Sequence, residues 1–228
     1  RALALMEGNN RRAPMTLRIN QIAIPPSTFK QRLETAKISF ADGPWPETVT
    51  LLDPQVATDL PGWDQGECAV QDQAAQHAAH LIVDALLSKG PNASPVKVLD
   101  ACAAPGGKLF HLREVLTQAG IEHHLFALDN KATRLQELSA IATRLGHITH
   151  PHADGSPLAS DSIGLICADG CAIDLPLPES LDIILIDAPC SGSGTIRRNP
   201  DIRLLLTEAG LREQQALQRQ LLQNLWQR

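Results

Sequence analysis

Residues 96–108 read VKVLDACAAPGGK. The first six form a short apolar run, broken only by Lys97 and Asp100, of the kind that makes a strand buried on both faces of a parallel sheet. The next residues, Cys102-Ala103-Ala104-Pro105-Gly106-Gly107-Lys108, are a loop of small side chains, and Leu109, Leu112, Val115 and Leu116 then repeat at helical spacing. Small residues let a ligand approach the backbone, and paired glycines permit a tight turn into a helix. The loop is not a P-loop, because Lys108 is followed by Leu109 rather than Ser or Thr and Cys102 stands where the earlier glycine is required. It is not G-x-G-x-x-G either, which disfavours a nicotinamide cofactor.

Outward from this loop the same alternation continues. HLFALD (124–129), IGLICAD (163–169) and LDIILID (181–187) read as three more strands. Between the first two of these, Leu135, Leu138, Ile141 and Leu145 make an apolar helix face stopped by Gly146, and a last helix runs from about Leu211. Upstream, Ala74, Ala75, Ala78, Leu81, Ile82, Ala85 and Leu86 form a helix ended by Gly90-Pro91. The pattern predicts an α/β domain with a doubly wound, Rossmann-like parallel sheet and right-handed crossovers. Ligands of such sheets sit beyond the carboxyl ends of the strands. Asp100, Asp129, Asp169 and Asp187 each close or border one of the four strands, and Asp129 is placed to accept hydrogen bonds from the ribose hydroxyls of an adenosine.

The N-terminal third reads differently. Met15–Asn20 alternates like a strand, Pro25-Pro26 breaks it, Ser27–Ala36 is a short helix, and Val49–Asp53 is another strand before the turn-rich LPGWDQGE. We expect two units: a small α+β unit within residues 1–70 and an α/β domain over 71–228. The net charge of −5 argues against a uniformly basic nucleic-acid surface, and 3% aromatics with no Tyr argue against a broad base-stacking platform. Yet residues 1–40 carry seven Lys/Arg against two acids, so the front end is suited to phosphates. No signal peptide or apolar run of membrane length is visible, and the five cysteines read as reduced thiols of a cytoplasmic protein without a membrane partner. Cys167 and Cys171 lack a second pair, and His147, His150 and His152 read as a polar surface loop, so no metal is expected. Trp45, Trp63 and Trp226 read as packing residues, with Trp63 able to approach the cleft.

Three stretches carry a resemblance: DACAAPGGK (100–108), LIDAPCSGSGTIRRNPDIR (185–203) and PGWDQGECAVQDQAAQ (61–76). Together, and with their spacing, they resemble the RNA cytosine-C5 methyltransferases, in particular the bacterial 16S ribosomal RNA enzymes of the Sun/Fmu type, over nearly the whole chain. The resemblance implies S-adenosylmethionine as cofactor, held by Cys102, Ala103, Ala104, Pro105, Gly106, Gly107, Lys108, Asp129, Asp169 and Asp187. Asp154, in the inserted HPHADGSPLASDSIG, competes with Asp169. Asp169 is preferred because it closes a strand 18 residues before Asp187.

Carbon 5 of cytosine is a poor nucleophile until a thiolate adds to carbon 6, so the chemistry needs a cysteine and a group on the base edge. The resemblance assigns these parts to Cys190 and Asp187, with the base unpaired or flipped out. In the RNA enzymes the cysteine matching Cys190 assists product release, and the attacking cysteine sits in a later T-C-S motif that these residues do not include. In DNA enzymes the P-C cysteine itself attacks. The absence of a D/N-P-P-Y/F pattern favours carbon over an exocyclic nitrogen. The expectation is therefore an active parent enzyme, monomeric, acting on 16S rRNA, and a 228-residue chain that is itself inactive. The alternatives are a transfer-RNA substrate, which shares the motifs, and an inactive RNA-binding module that retains cofactor affinity. Arg197 and Arg198, with Arg203, are expected to grip RNA phosphates, as is Arg18 in the N-terminal unit beside Arg11, Arg12 and Lys30.

Overall fold

The computed structural model describes residues 2–90, 94–152 and 162–228. Asp154 lies outside the described residues. The chain opens with helix α1 (Ala2–Asn9), then β1 (Met15–Ile19), α2 (Pro26–Thr35), β2 (Phe40–Asp42), β3 (Thr48–Leu51) and β4 (Cys68–Val70). These strands form an antiparallel sheet of order β2-β3-β1-β4. Alternation along β1 sends Leu17 and Ile19 to one face, where Phe29 and Leu33 of α2 close a core with Val49, Leu51 and Cys68.

The other face of β1 departs from expectation. Arg18 points there and is completely buried, because that face is covered by the second unit rather than by water. Its guanidinium donates to Gln71 Oε1 (2.7 Å), to the Gly107 carbonyl (2.7 Å) and to Glu114 Oε1 (2.9 Å). Arg18 is therefore not a phosphate contact. The basic side chains around it are also engaged: Lys30 pairs with Asp42 at 2.7 Å, and Arg12 donates to the Pro54 carbonyl at 3.2 Å.

The second unit runs α3 (Gln73–Lys89), β5 (Val96–Ala101), α4 (Gly107–Gln118), β6 (His123–Asp129), α5 (Ala132–Arg144), β7 (Ile148–Pro151), β8 (Ser162–Cys167), β9 (Ile183–Ile186), α6 (Ile202–Leu205) and α7 (Glu208–Leu225). Among the described residues its five strands are all parallel, in the order β7-β8-β6-β5-β9. One face carries Val96, Val98, Leu125, Ala127 and Ile163 against the apolar stripes of α3, α4 and α5. The other carries Leu99, Ala101, Phe126, Leu128 and Ile166 against Leu225 of α7. Burial on both faces explains why these strands read as largely apolar runs.

The sheet has one strand more than the sequence announced. The expected surface loop around His147, His150 and His152 is instead edge strand β7, with His147 and His152 each only 4% exposed. His147 stacks on Phe110, and its Nδ1 lies 2.5 Å from an Arg113 Nη1. Pro151 is tolerated there because an edge strand leaves one row of backbone groups unpaired. Helix α7 begins at Glu208 rather than Leu211, and Thr207 caps it by accepting from the Gly210 amide at 3.1 Å. Trp226 at its end is 83% exposed, not packed.

Beyond Arg18, the two units are joined by Thr48 donating to Gln76 Oε1 (2.6 Å) and by Asn20 Nδ2 donating to the Leu145 carbonyl (2.9 Å). Arg144 donates to the carbonyls of Trp63 and Cys68 and stacks its guanidinium 4.0 Å above the Trp63 ring. That contact holds Trp63 at the far end of α5. No helix among the described residues is long and apolar enough to cross a membrane.

Candidate cofactor crevice and base-facing loop

β5 pairs with β6 on one side and β9 on the other, so the strand order reverses at β5. This switch point opens a crevice at the strand ends. The loop after β5 is shaped to fill little of it. Cys102 adopts φ 65° and Gly106 φ 102°. A Cβ on Gly106 would lie 2.4 Å from the Phe110 ring, so only glycine fits, whereas the space beside Gly107 is open. The first turn of α4 directs free backbone N–H groups at this opening, a ready site for a carboxylate.

Asp129 closes β6 and is 2% exposed. Its Oδ1 accepts from the Lys131 amide at 3.1 Å, and its Oδ2 lies 3.0 Å from an Arg134 Nη1. That second contact is an ion pair without hydrogen-bond alignment, which leaves lone pairs of Oδ2 uncommitted. Arg134 also donates to the Ala104 carbonyl at 2.5 Å, so one guanidinium braces both the acid and the loop. The sequence reading missed Arg134. The only signal for it was a cation in the first turn of the helix behind a strand-closing acid.

Asp100 is 1% exposed, and neither carboxyl oxygen has a hydrogen-bond partner among the described residues. Burial, reinforced by the charge of Asp187 and opposed by Lys108, pushes its pKa well above the usual carboxylate range. Asp187 itself is exposed and takes an ion pair from Lys108 Nζ at 2.5 Å, linking the end of β9 to the start of α4. Burial, with the charges of Asp129, Asp100 and Asp187, pushes the Cys102 thiol up to about 11, so it is a packing thiol rather than a nucleophile.

Cys102, Asp129, Asp169 and Pro189 line one small cavity of about 50 Å³ with Leu217 and Leu221 of α7. Asp169 is exposed, and its Oδ1 accepts from the Cys171 amide at 2.9 Å. Gly170 beside it is held close to α7: a Cβ there would lie 2.8 Å from Leu221 Cδ2. Asn224 of α7 donates to the carbonyls of Gly170 (2.7 Å) and Ala172 (2.8 Å). These α7 residues were read only as a helix face, because nothing in their spacing shows which element they meet.

Cys190 is exposed and stands outside that cavity, on the loop three residues beyond Asp187. Gln218 of α7 fixes this loop by donating to the Pro189 carbonyl at 2.7 Å. The following arginines hold the front of the chain. Arg197 donates to the Arg12 carbonyl at 2.6 Å, Arg198 grips both oxygens of Asp72 at 2.5 and 2.6 Å, and Arg203 donates to Asn10 Oδ1 at 3.1 Å. Arg197 and Arg198 also line a cavity of about 350 Å³ with Thr16, Thr50 and Thr195, between the two units and next to the Cys190 loop.

A parallel sheet with a crevice where its strand order reverses is that of a Rossmann-like methyltransferase. The comparisons with known proteins narrow the class. The chain belongs to the RsmB/F family of 16S rRNA methyltransferases, whose description matches residues 87–228, and a ferredoxin-like domain of the RsmF/B-like methyltransferases matches residues 1–58. It is 36% identical to a probable ribosomal RNA small subunit methyltransferase B of Coxiella burnetii, over 98% of this chain and 47% of that protein. It is 34% identical to the ribosomal RNA small subunit methyltransferase B of Pasteurella multocida, over 97% of this chain and 45% of that protein. The chain thus spans about half the length of the curated relatives it matches. Among solved structures it is similar to PH0851, with TM-score 0.77 and 25% identity over 96% of this chain and 44% of that one. The fold is also shared with NSun6 from Pyrococcus horikoshii, solved with SFG, with TM-score 0.65 and 15% identity over 84% of this chain and 67% of that one.

Proposed function

We propose that the protein methylates carbon 5 of a cytosine in small-subunit ribosomal RNA, with S-adenosylmethionine as methyl donor. The observation that carries this reading is the placement of the Asp129–Arg134 crevice and the Cys190 loop at one switch point, in a chain whose relatives are named as small-subunit rRNA methyltransferases. The bound cofactor supplies an electrophilic methyl group. Asp129 would accept from the ribose hydroxyls, and the N–H groups opening α4 would meet the carboxylate of the methionine portion. Asp100 would face its ammonium group, whose charge would offset the burial that raises the Asp100 pKa. Asp169 and Gly170, backed by Leu217 and Leu221, would flank the adenine.

The base enters from the exposed side, where Asp187 meets its edge. A thiolate adds to carbon 6, carbon 5 takes the methyl group, the carbon-5 proton leaves, and elimination of the thiolate restores the ring. We assign Cys190 to the release step and the attack to the cysteine of the T-C-S motif, which is not among these 228 residues. The RNA strand runs past the 350 Å³ cavity, where a phosphate competes with Asp72 for Arg198 and adds to the contacts of Arg197.

Calorimetric titration of the chain with S-adenosylmethionine tests the crevice. Saturable binding is expected, weakened at least tenfold in Asp129→Ala. No binding by a demonstrably folded chain would sink the cofactor assignment. No turnover is expected from residues 1–228 alone, and measurable methyl transfer would move the attack to Cys190. Bisulfite sequencing of RNA from cells lacking the gene reads the substrate: loss of one 5-methylcytosine from 16S rRNA is expected, and loss from a transfer RNA instead would replace the substrate.

A further inference from the structure

A second cluster lies away from the crevice, in the seam between the two units. Glu47, just before β3, is 1% exposed, and His80 of α3 and His111 of α4 aim their Nε2 atoms at the same carboxylate oxygen, Oε1, from 2.7 and 3.3 Å. The three donor atoms lie within 4.8 Å of one another. Three separate elements thus bring two imidazole nitrogens and one carboxylate oxygen to a common point. The grouping is not legible from spacing, because Glu47, His80 and His111 are far apart along the chain.

We propose that Glu47, His80 and His111 form a binding site for a divalent transition-metal ion of the zinc class, which fastens the N-terminal unit to α3 and α4. Two imidazoles and a carboxylate are a ligand set that zinc accepts, whereas two nitrogen donors disfavour magnesium and calcium. Ligand bonds of about 2.0–2.1 Å in a tetrahedron place donor atoms about 3.3 Å apart. The His111–Glu47 separation already has that length, and the His80–Glu47 separation opens by about 0.6 Å to reach it. His80 is pre-set for this by Trp45, whose ring stacks on it at 4.0 Å and 6°. A hydrogen-bonded triad without an ion also accounts for the two contacts. Among the described residues His111 Nδ1 has no hydrogen-bond partner, which does not discriminate between the two.

This inference is independent of the methyl-transfer reading and is tested on the whole 228-residue chain. The chain, stripped with a chelator, is titrated with cobalt(II), following the visible bands of low-symmetry coordination and the bound metal by elemental analysis. One ion per chain is expected, displaced by zinc and bound at least tenfold more weakly in Glu47→Gln and in His80→Ala. His80 is a half-buried helix position, so that variant is the safer one for folding, and His80→Gln is the further substitution should Glu47→Gln unfold. Zinc is expected to raise the melting temperature of the parent and not of the His80 variants. Absence of stoichiometric uptake means a hydrogen-bonded triad only and overturns the proposal. Uptake that survives in the His80 variants places the ion elsewhere, on His150, Cys167 or Cys171, and overturns it equally.

Discussion

Asp100 carries a penalty that the rest of the crevice does not remove. Its folded pKa is raised, so the ionised form is disfavoured by the fold, and stability falls as pH rises above the ordinary carboxylate value near 3.9. Asp100→Asn is therefore expected to raise the melting temperature by several degrees at neutral pH, with the difference closing below about pH 4, as scanning calorimetry across pH would show. Because the bound ammonium favours the ionised acid, S-adenosylmethionine affinity of the parent should increase with pH through the raised pKa and lose that dependence in the variant. Arg18 gives the complementary case. Its pairing with Glu114 is fully desolvated, so removing one partner strands the other, and Arg18→Met or Glu114→Gln should each cost about 3–5 kcal/mol in urea unfolding. The double variant should cost clearly less than the two together. That Asp129 closes the second strand was legible, because the apolar run HLFAL ends on it. That Arg18 is structural was not, because alternation along β1 tells which residues share a face and not what covers it.

At the level of elements, legibility followed burial. β5, β6, β8 and β9 announce themselves as apolar runs because both of their faces are covered. β7, with the residues Ile148-Thr149-His150-Pro151, is an edge strand whose side chains are mostly exposed, and no apolar periodicity is left to read. β2 and β4 are three residues each, too short for alternation to show. Helix α7 was visible from its leucine spacing, but its job was not: it backs the cavity with Leu217 and Leu221 and steadies the Asp169 loop through Asn224. Asn224→Ala removes two hydrogen bonds to carbonyls and is expected to cost about 1–3 kcal/mol. If the loop is part of the adenine seat, cofactor affinity falls severalfold in the same variant. An unchanged Kd would separate α7 from the crevice.

Across the whole molecule, the basic excess of the N-terminal residues was read correctly as a composition, but much of it is spent internally, in pairs with Asp42, Asp53 and Glu114. On the proposed reading the cations that meet RNA are Arg197 and Arg198 around the cavity between the units, which exchange their contacts with the Arg12 carbonyl and Asp72 for phosphate. Replacing either by Ala should weaken RNA binding and reduce the slope of log affinity against log salt by about 0.7, the value for one phosphate on a single strand. Filter binding over a salt series measures both quantities, and an unchanged slope would remove that arginine from the RNA path. Of the three resemblance-bearing stretches, 61–76 and 185–203 line this cavity, whereas 100–108 ends β5 and opens α4.

The Arg18 seam also bears on how such proteins can be recombined. A foreign front end grafted ahead of α3 would arrive without a guanidinium for Glu114 and the Gly107 carbonyl, and the graft would disturb the cofactor loop from behind. A workable chimera has to carry Arg18, Gln71 and Glu114 as one inherited set, so the domain border that matters for exchange runs through α4 and not through the link between β4 and α3.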